Sequence, residues 1–592
     1  MTKTLKLDQA APGGNTKQGW GSDVAAEMLK RVGVKYITHN PGSSFRGLHD
    51  SIVNYGGNAD PSLLLCLNEN QAVAIAHGYA KACGEPMGCI LHANVGLLNA
   101  AMSIYNAWVD RAPIVIVGAG GPADADRRIP WIHWIHSSRD QAGYVRGFTK
   151  WDDEPRSPRA MVESMLRANK IARTAPKGPV YVVLDALLQE DALAAPIDLP
   201  DASRFAVGPA PVPPQEAIDQ AADWLLGARH PMILCGRVSR DRGDWDRRVR
   251  LAELLGAYVA TDIKTGASFP SDHALHAGLS YHFRGPQKEV LAESDVVLSL
   301  DWVDLNSALK AGFPNGAVTA KVIQCSVDSY SHNAMNADCF GLPPADLMLR
   351  VEPDVALRHI LDEVEKRLEG KPRRNLAPRS LSQPEARAPD SPLTVADIGH
   401  AMHKARAKRK ITLARLPLGF APETCHFDDP MDHLGNDGGV GIGSGLGNTI
   451  GTALALQGTD RVAAAVIGDS DFLQGANALW TAAHYRIPLL VVVVNNRSHL
   501  NDELIQQRVA QQRGREPANS WIGQRIDDPA VDISGIARGF GAAVEGPVTT
   551  VAELRAAIER GFARVAEGKP CVIDALVLPG GASRLAESGG GG

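Results

Sequence analysis

The chain has 592 residues, too many for one core. At roughly 100 to 200 residues per domain, three or four units are expected. With 61 Lys and Arg against 66 Asp and Glu the net charge is -5, so no global field draws it to nucleic acid or to an anionic membrane. No apolar run reaches the roughly 20 residues that span a bilayer, and MTKTLKLDQAAPGGNTKQ lacks a secretory apolar stretch. A cytoplasmic protein acting on a small molecule is therefore expected, with no nucleic acid or membrane partner.

Short β-branched runs alternate with helical stretches almost throughout, the mark of parallel α/β domains. The first block, 20–190, holds the strands VKYITHN, SLLLCLN, MGCILHA, APIVIVGAG and GPVYVVLDA, with helices such as ENQAVAIAHGYAKA between them. The second, 191–370, offers HPMILCG, AYVATD, SDVVLSLDW and AKVIQCSVD as strands. It reads as a Rossmann-like sheet without the GxGxxG fingerprint. Residues 371–392 are rich in Pro, Arg and Ser and read as a linker, the third block spans 393–580, and the ESGGGG tail reads as disordered or added sequence. The eight cysteines are scattered without a CxxC, and most lie in apolar segments, which fits reduced, buried thiols.

The third block carries the most chemistry. VAAAVIGD reads as a buried strand, LQGANALWTAAHY as a crossover helix and IPLLVVVVNN as the next parallel strand, one right-handed βαβ unit. Ligands of open parallel sheets sit beyond the carboxyl ends of the strands, where Asp469 and Asn495-Asn496 fall one strand spacing apart. A carboxylate, an amide oxygen and backbone carbonyls suit Mg²⁺, which completes its shell with phosphate oxygens and water. Gly475 and the start of the helix would turn N–H groups toward such phosphates. The same residues would also serve a helix cap and an ordinary turn.

The spacing of GD, one residue, 24 more and then NN over 468–496 resembles the signature of thiamin-diphosphate-dependent enzymes. Ser470 stands where that signature usually has glycine or another small residue. The resemblance implies three doubly wound parallel-sheet α/β domains: pyrimidine-binding, central Rossmann-like and diphosphate-binding. It also implies thiamin diphosphate and Mg²⁺ as cofactors. Asp469, the Asn496 side chain and the Ser498 carbonyl would hold the metal, and Gly468, Ser470, Asp471 and Asn496 would line the cofactor. LLLCLNENQAVAIAHGYA is similar to the family's first-domain segment and puts Glu69 in the place of its activating glutamate. Within GGVGIGSGLGNTIG, at 438–451, Ile442 would be the wedge under the bent cofactor, flanked by Gly441 and Gly443. Glu69 would equally suit a helix start, and Ile442 an ordinary core.

In that family the cofactor forms a thiazolium ylid, adds to a 2-oxo acid and, after loss of CO₂, leaves an enamine to be captured. HNPGSSFRGLHDS resembles the NPGS loop of benzoylformate decarboxylase, with Ser43 at its active-site serine. CILHANVG places His92 at an active-site histidine, 23 residues beyond Glu69. His133 and His136 in RRIPWIHWIHSSRDQ fall where related decarboxylases carry a histidine pair. The bland readings remain a turn serine, a strand-end histidine and Trp-flanked interface packing. Two departures stand out. VVLSLDWVDLNSALK lacks the second active-site histidine of benzoylformate decarboxylase, and NNRSHLNDELIQQRVAQQRGR lacks the aromatic-lined sequence typical of acetohydroxyacid synthase.

The leading expectation is non-oxidative decarboxylation of a 2-oxo acid. The alternative is a carboligase or lyase of the acetolactate synthase or benzaldehyde lyase type, handling a 2-hydroxyketone with aldehyde substrates. A non-catalytic structural or regulatory subunit is the reading from a different class. The middle block has no decisive flavin motif, so FAD is not expected. The resemblance implies a homodimer or homotetramer with the cofactor at the subunit interface.

Overall fold

The computed structural model describes residues 5–280, 283, 285–313, 316–328, 341–369, 371–372 and 387–578. Most of the 371–392 linker and the whole ESGGGG tail lie outside the described residues. Among them, strands pair into three sheets, and every pairing within those sheets is parallel. The fold is thus three parallel-sheet α/β domains, distributed over two compact units. Parallel sheets need both faces covered, which is why their strands read as continuous apolar runs.

One unit comprises 1–207, 387–420 and 437–592 and carries two sheets. The first contains β1 (Tyr36–His39), β2 (Ser62–Leu65), β3 (Met87–Leu91), β4 (Ile114–Gly120), β5 (Trp151–Asp153) and β6 (Pro179–Asp185). Their order is β2-β1-β3-β4-β6-β5. The chain steps left from β1 to β2 and then crosses to β3, so the topological switch lies between β1 and β3. A crevice opens at such a switch beyond the carboxyl ends of the strands.

The second unit, 208–386 with 421–436, carries β7 (Pro231–Cys235), β8 (Tyr258–Asp262), β9 (His276–Ser280), β10 (Val296–Leu300), β11 (Lys321–Cys325) and β12 (Leu347–Leu349). Their order, β12-β11-β10-β7-β8-β9, is the Rossmann order. At its switch the β7 and β10 segments stay hydrogen-bonded past their ends, Gly236 N–H to Leu300 O at 3.0 Å and Arg237 N–H to Asp301 O at 3.0 Å. Segment 421–436, which sequence alone places in the third block, packs with this unit. There His433 stacks on Phe427 and bonds the Ile263 carbonyl at 3.1 Å.

Back in the first unit, the third sheet has β13 (Lys410–Arg415), β14 (Arg461–Gly468), β15 (Leu490–Asn495), β16 (Ala543–Val548) and β17 (Cys571–Leu576) in the order β13-β14-β15-β17-β16. The expected crossover helix after β14 is two helices, Asp469–Gly475 and Ala478–His484. The two sheets of this unit meet through helix Glu69–Cys83 and helix Gly445–Ala455, whose backbones touch. A side-chain carbon on Gly78 would lie 2.0 Å from the Asn448 carbonyl oxygen, and one on Gly451 would lie 1.9 Å from that of Ile75. Only glycine permits this approach.

No helix among the described residues is long and apolar enough to cross a membrane. Of the seven described cysteines six are buried, and Cys83 is exposed.

Candidate functional site

The β14–β15 pairing, Gly468 opposite Val494, brings Asp469 and Asn495-Asn496 to one sheet edge. Asp469 is 2% exposed. Its carboxylate accepts N–H groups from Ser470 at 2.7 Å and Arg497 at 2.6 Å. Burial pushes this carboxyl above the usual carboxylate range, and the turn's backbone N–H groups oppose that. Asn496 Oδ1 accepts the Ser498 N–H at 3.0 Å, whereas Asn495 is turned away and donates to Asp574 Oδ1 at 2.9 Å. The Ser498 hydroxyl donates to Glu503 at 2.7 Å, and Arg525 clamps the same carboxylate.

Beside this turn runs the glycine-rich loop. Asp471, 4% exposed, accepts N–H groups from Gly443 at 2.7 Å and Gly445 at 3.2 Å, and its other oxygen lies 3.5 Å from Arg415 Nε. The buried Arg415 also pairs with Asp437, which receives the Ser444 hydroxyl. The loop is therefore latched by two carboxylates around one buried guanidinium. From the other sheet's helix, Gln71 Nε2 donates to the Gly443 carbonyl at 2.5 Å. Gly443 has φ +102°, a conformation open to glycine. Ile442, between Gly441 and Gly443, is left 36% exposed.

Glu69 opens its helix with Asn68 as N-cap, a position where negative charge is favoured. The carboxylate is 8% exposed, and Oε2 accepts from Asn99 Nδ2 at 2.6 Å. A side chain on Gly96 would lie 3.3 Å from both Glu69 Cγ and His92 Cβ, so these two residues are near neighbours. His92 follows β3 and sits at the switch crevice, its ring 4.7 Å from the His136 ring in an edge-on arrangement. Burial first, then His136, lower the His92 pKa, while Glu69 raises it.

The remaining expected residues are placed differently. Ser43 is exposed, and its hydroxyl makes no hydrogen bond among the described residues, while the adjacent Ser44 bonds His92 Nδ1 at 2.8 Å. His133 accepts the Ile129 N–H at 2.8 Å and so braces its own turn. Sequence reasoning missed Asn99, although it stands seven residues after His92, on the same face of helix Ala93–Val109. It also missed Ser44, Gln71 and Arg415. No sequence signal separates Ser44 from Ser43.

Three domain models of one family match in order: "Thiamine pyrophosphate enzyme, N-terminal TPP binding domain" over 19–143, the central domain over 218–342, and the C-terminal TPP binding domain over 419–575. The chain belongs to the thiamine pyrophosphate enzyme family. Thiamine pyrophosphate is thiamin diphosphate, and both of its binding domains fall in the first structural unit except for segment 421–436. Benzoylformate decarboxylase of Pseudomonas aeruginosa is 24% identical over 525 residues, covering 87% of this chain and 91% of that protein. A "Probable acetolactate synthase large subunit" of Methanocaldococcus jannaschii is 25% identical over 500 residues, covering 81% and 80%. Among solved structures, benzoylformate decarboxylase from Polynucleobacter necessarius superposes with a TM-score of 0.76 at 18% identity, covering 94% of this chain and 98% of that one. The 4-hydroxybenzoylformate decarboxylase of Rhodococcus jostii RHA1 gives 0.75 at 21% identity, covering 94% and 99%. Decarboxylases and acetolactate synthases thus both stand among the relatives of this family member.

The residues present fit the family's cofactor. Asp469 is a buried carboxylate held by backbone N–H groups and, at 3.4 Å, by the Ser470 hydroxyl, with no cationic side chain bonded to it among the described residues, a donor that a divalent cation would stabilise. Among the described residues no three His, Cys, Asp or Glu side chains converge as a metal cluster. A Mg²⁺ ion here would rest on one carboxylate with amide and carbonyl oxygens, leaving positions for a diphosphate.

Proposed function

We propose that this protein is a thiamin-diphosphate- and Mg²⁺-dependent enzyme that decarboxylates a 2-oxo acid without oxidation and releases an aldehyde. The observation that carries the reading is the grouping of Glu69, His92 and His136 at the carboxyl end of the first sheet. It puts one buried carboxylate near the His92 imidazole, which the His136 ring meets in turn. When bound, thiamin diphosphate would supply a nucleophilic carbon and an electron sink for decarboxylation.

The chain's residues do the rest. Asp469, the Asn496 side-chain oxygen and the Ser498 carbonyl hold Mg²⁺, and Gly468, Ser470 and Asp471 shape the surface around the diphosphate. Asp471 does so by fixing the loop on which Ile442 rises between Gly441 and Gly443. Glu69 exchanges a proton with the pyrimidine ring through a carboxylate that Asn99 holds in place. His92 and His136 bind the substrate's oxygens and hold a proton at the imidazole edge. Ser43 and His133 contact the substrate from the rim. Around this group Leu67, Val95, Leu98 and Met102 are exposed apolar side chains. Such a surface is suited to burial against a second copy of the chain, which supports the homodimer or homotetramer, with the cofactor between subunits, that belongs to this proposal.

The second reading is carboligation, supported by the equal standing of the acetolactate synthase relatives. Product analysis separates the two. Purified protein with thiamin diphosphate and Mg²⁺ is offered pyruvate, benzoylformate and phenylpyruvate, each with and without an acceptor aldehyde. Free aldehyde as the main product is expected. A 2-hydroxyketone or acetohydroxy acid would replace decarboxylation by carboligation.

A further inference from the structure

We propose that Ser44 is a positioning residue that fixes neutral His92 in the Nε2–H tautomer, so that Nε2 is the donor presented to a substrate oxygen. This deepens the role given to His92 above and rests on it.

Ser44 Oγ lies 2.8 Å from His92 Nδ1 and accepts the Ala93 N–H at 3.2 Å. It makes no other hydrogen bond among the described residues. A serine hydroxyl has one proton to give and two lone pairs. With Ala93 donating onto the oxygen, the proton has Nδ1 as its single acceptor. Were the hydrogen on Nδ1 instead, the oxygen would accept twice and its own proton would point at nothing. Nδ1 is therefore the acceptor, and the ring hydrogen of neutral His92 sits on Nε2, where no protein group takes it among the described residues.

The surroundings hold that arrangement rigid. A side chain on Gly42 would lie 2.4 Å from the His92 ring, so the ring lies directly on the backbone of the Ser44 loop. The His136 ring also meets it edge-on. Ala93 is a non-glycine residue at φ +44°, a left-handed conformation that costs energy and here sets an N–H onto Ser44. Ser44 follows β1 and His92 follows β3, the two adjacent strands at the topological switch. The ionisable groups facing His92 are Glu69 from its helix and His136 from the loop after β4.

The test reads the ring nitrogens directly. Protein labelled with ¹⁵N-histidine and loaded with thiamin diphosphate and Mg²⁺ is measured by solid-state ¹⁵N NMR. The His92 signals are assigned by their loss in His92→Gln. In the wild type Nδ1 is expected as a bare acceptor and Nε2 as N–H. In Ser44→Ala the excess of that tautomer should fall about fivefold, the worth of roughly one neutral hydrogen bond. Ser44→Thr, which keeps a hydroxyl, should restore the tautomer excess. Hydrogen on Nδ1 in the wild type, or an unchanged tautomer ratio in Ser44→Ala, would overturn the proposal. Since the spectra need no turnover, they answer it even if the product analysis rules out decarboxylation. Retained cofactor in Ser44→Ala shows that the fold persists, and if it is lost Ser44→Thr with the wild-type spectrum still decides.

Discussion

Asn99 Nδ2 donates to Glu69 Oε2 at 2.6 Å, joining the helix after β3 to the helix after β2 at the first sheet's crevice. A hydrogen bond to an ionised carboxylate is worth about 1.5–3 kcal/mol, enough to set where the carboxylate points. Asn99→Ala should slow exchange of the thiazolium C2 proton of bound cofactor by at least about tenfold, with little effect on cofactor retention. Rapid-quench deuterium exchange measures the first, and equilibrium dialysis the second.

The metal side behaves differently. Asp469→Ala removes the carboxylate that the buried turn encloses, and Mg²⁺-dependent retention of thiamin diphosphate should disappear. In the wild type, chelation with EDTA should release cofactor, and added Mg²⁺ should restore it. Retention by Asp469→Ala equal to the wild type would remove the metal assignment.

The crossing of helix Glu69–Cys83 with helix Gly445–Ala455 leaves no room for a methyl group at Gly451, since the Ile75 carbonyl lies 1.9 Å from where it would stand. Overpacking of this kind costs about 1–3 kcal/mol and can exceed that where backbone must move. Gly451→Ala should lower the thermal midpoint by several degrees, at about 2–4 °C per kcal/mol for domains of this size. Differential scanning fluorimetry reads it, with an alanine at the open position Gly458 excluded as a control because its φ of +81° adds its own strain.

Much of the first unit is legible in the sequence because its strands are buried on both faces. MGCILHA and APIVIVGAG had to be parallel strands, and β3 and β4 are. The strands that escape are short or lie at edges. β5 is three residues of WDD, β12 is an apolar run of only three, LML, and edge strand β9 begins on a histidine; none offers an apolar run long enough to read. The crossover after β14 breaks near Gly475, where the Gly443 carbonyl comes too close for a side chain, and helical periodicity carries no trace of that neighbour. At the candidate site, Glu69, His92 and Asp469 stand at strand ends, where residue type and spacing suffice. Asn99, Ser44, Gln71 and Arg415 act through partners far away in the chain, such as Gly443 for Gln71, and such pairing is decided by tertiary packing.

Acid should weaken the fold through two buried imidazoles. His39 and His276 are both lowered by burial to about 4 from 6.5. Each stays neutral in the folded chain while the unfolded chain takes up a proton below about 6.5. Their full contribution is present above that pH and is lost progressively as pH falls toward about 4, to the extent of about 3 kcal/mol each. Urea denaturation at stepped pH should show the decline over this window, and it should be shallower in His39→Gln and in His276→Gln. An unchanged slope in either variant would remove that residue from the account.

Whether Glu69 activates a bound thiamin diphosphate is read by C2 proton exchange in Glu69→Gln. Glutamine keeps the size and a hydrogen-bonding oxygen but cannot exchange a proton at neutral pH. The wild type and the variant, each shown to retain cofactor and Mg²⁺, are pulsed with D₂O and quenched with acid, and the C2 signal is read by ¹H NMR. Exchange should be at least about a hundredfold slower in the variant if Glu69 activates the cofactor, the scale of a lost proton-transfer group. Equal exchange rates in the two loaded proteins would contradict it.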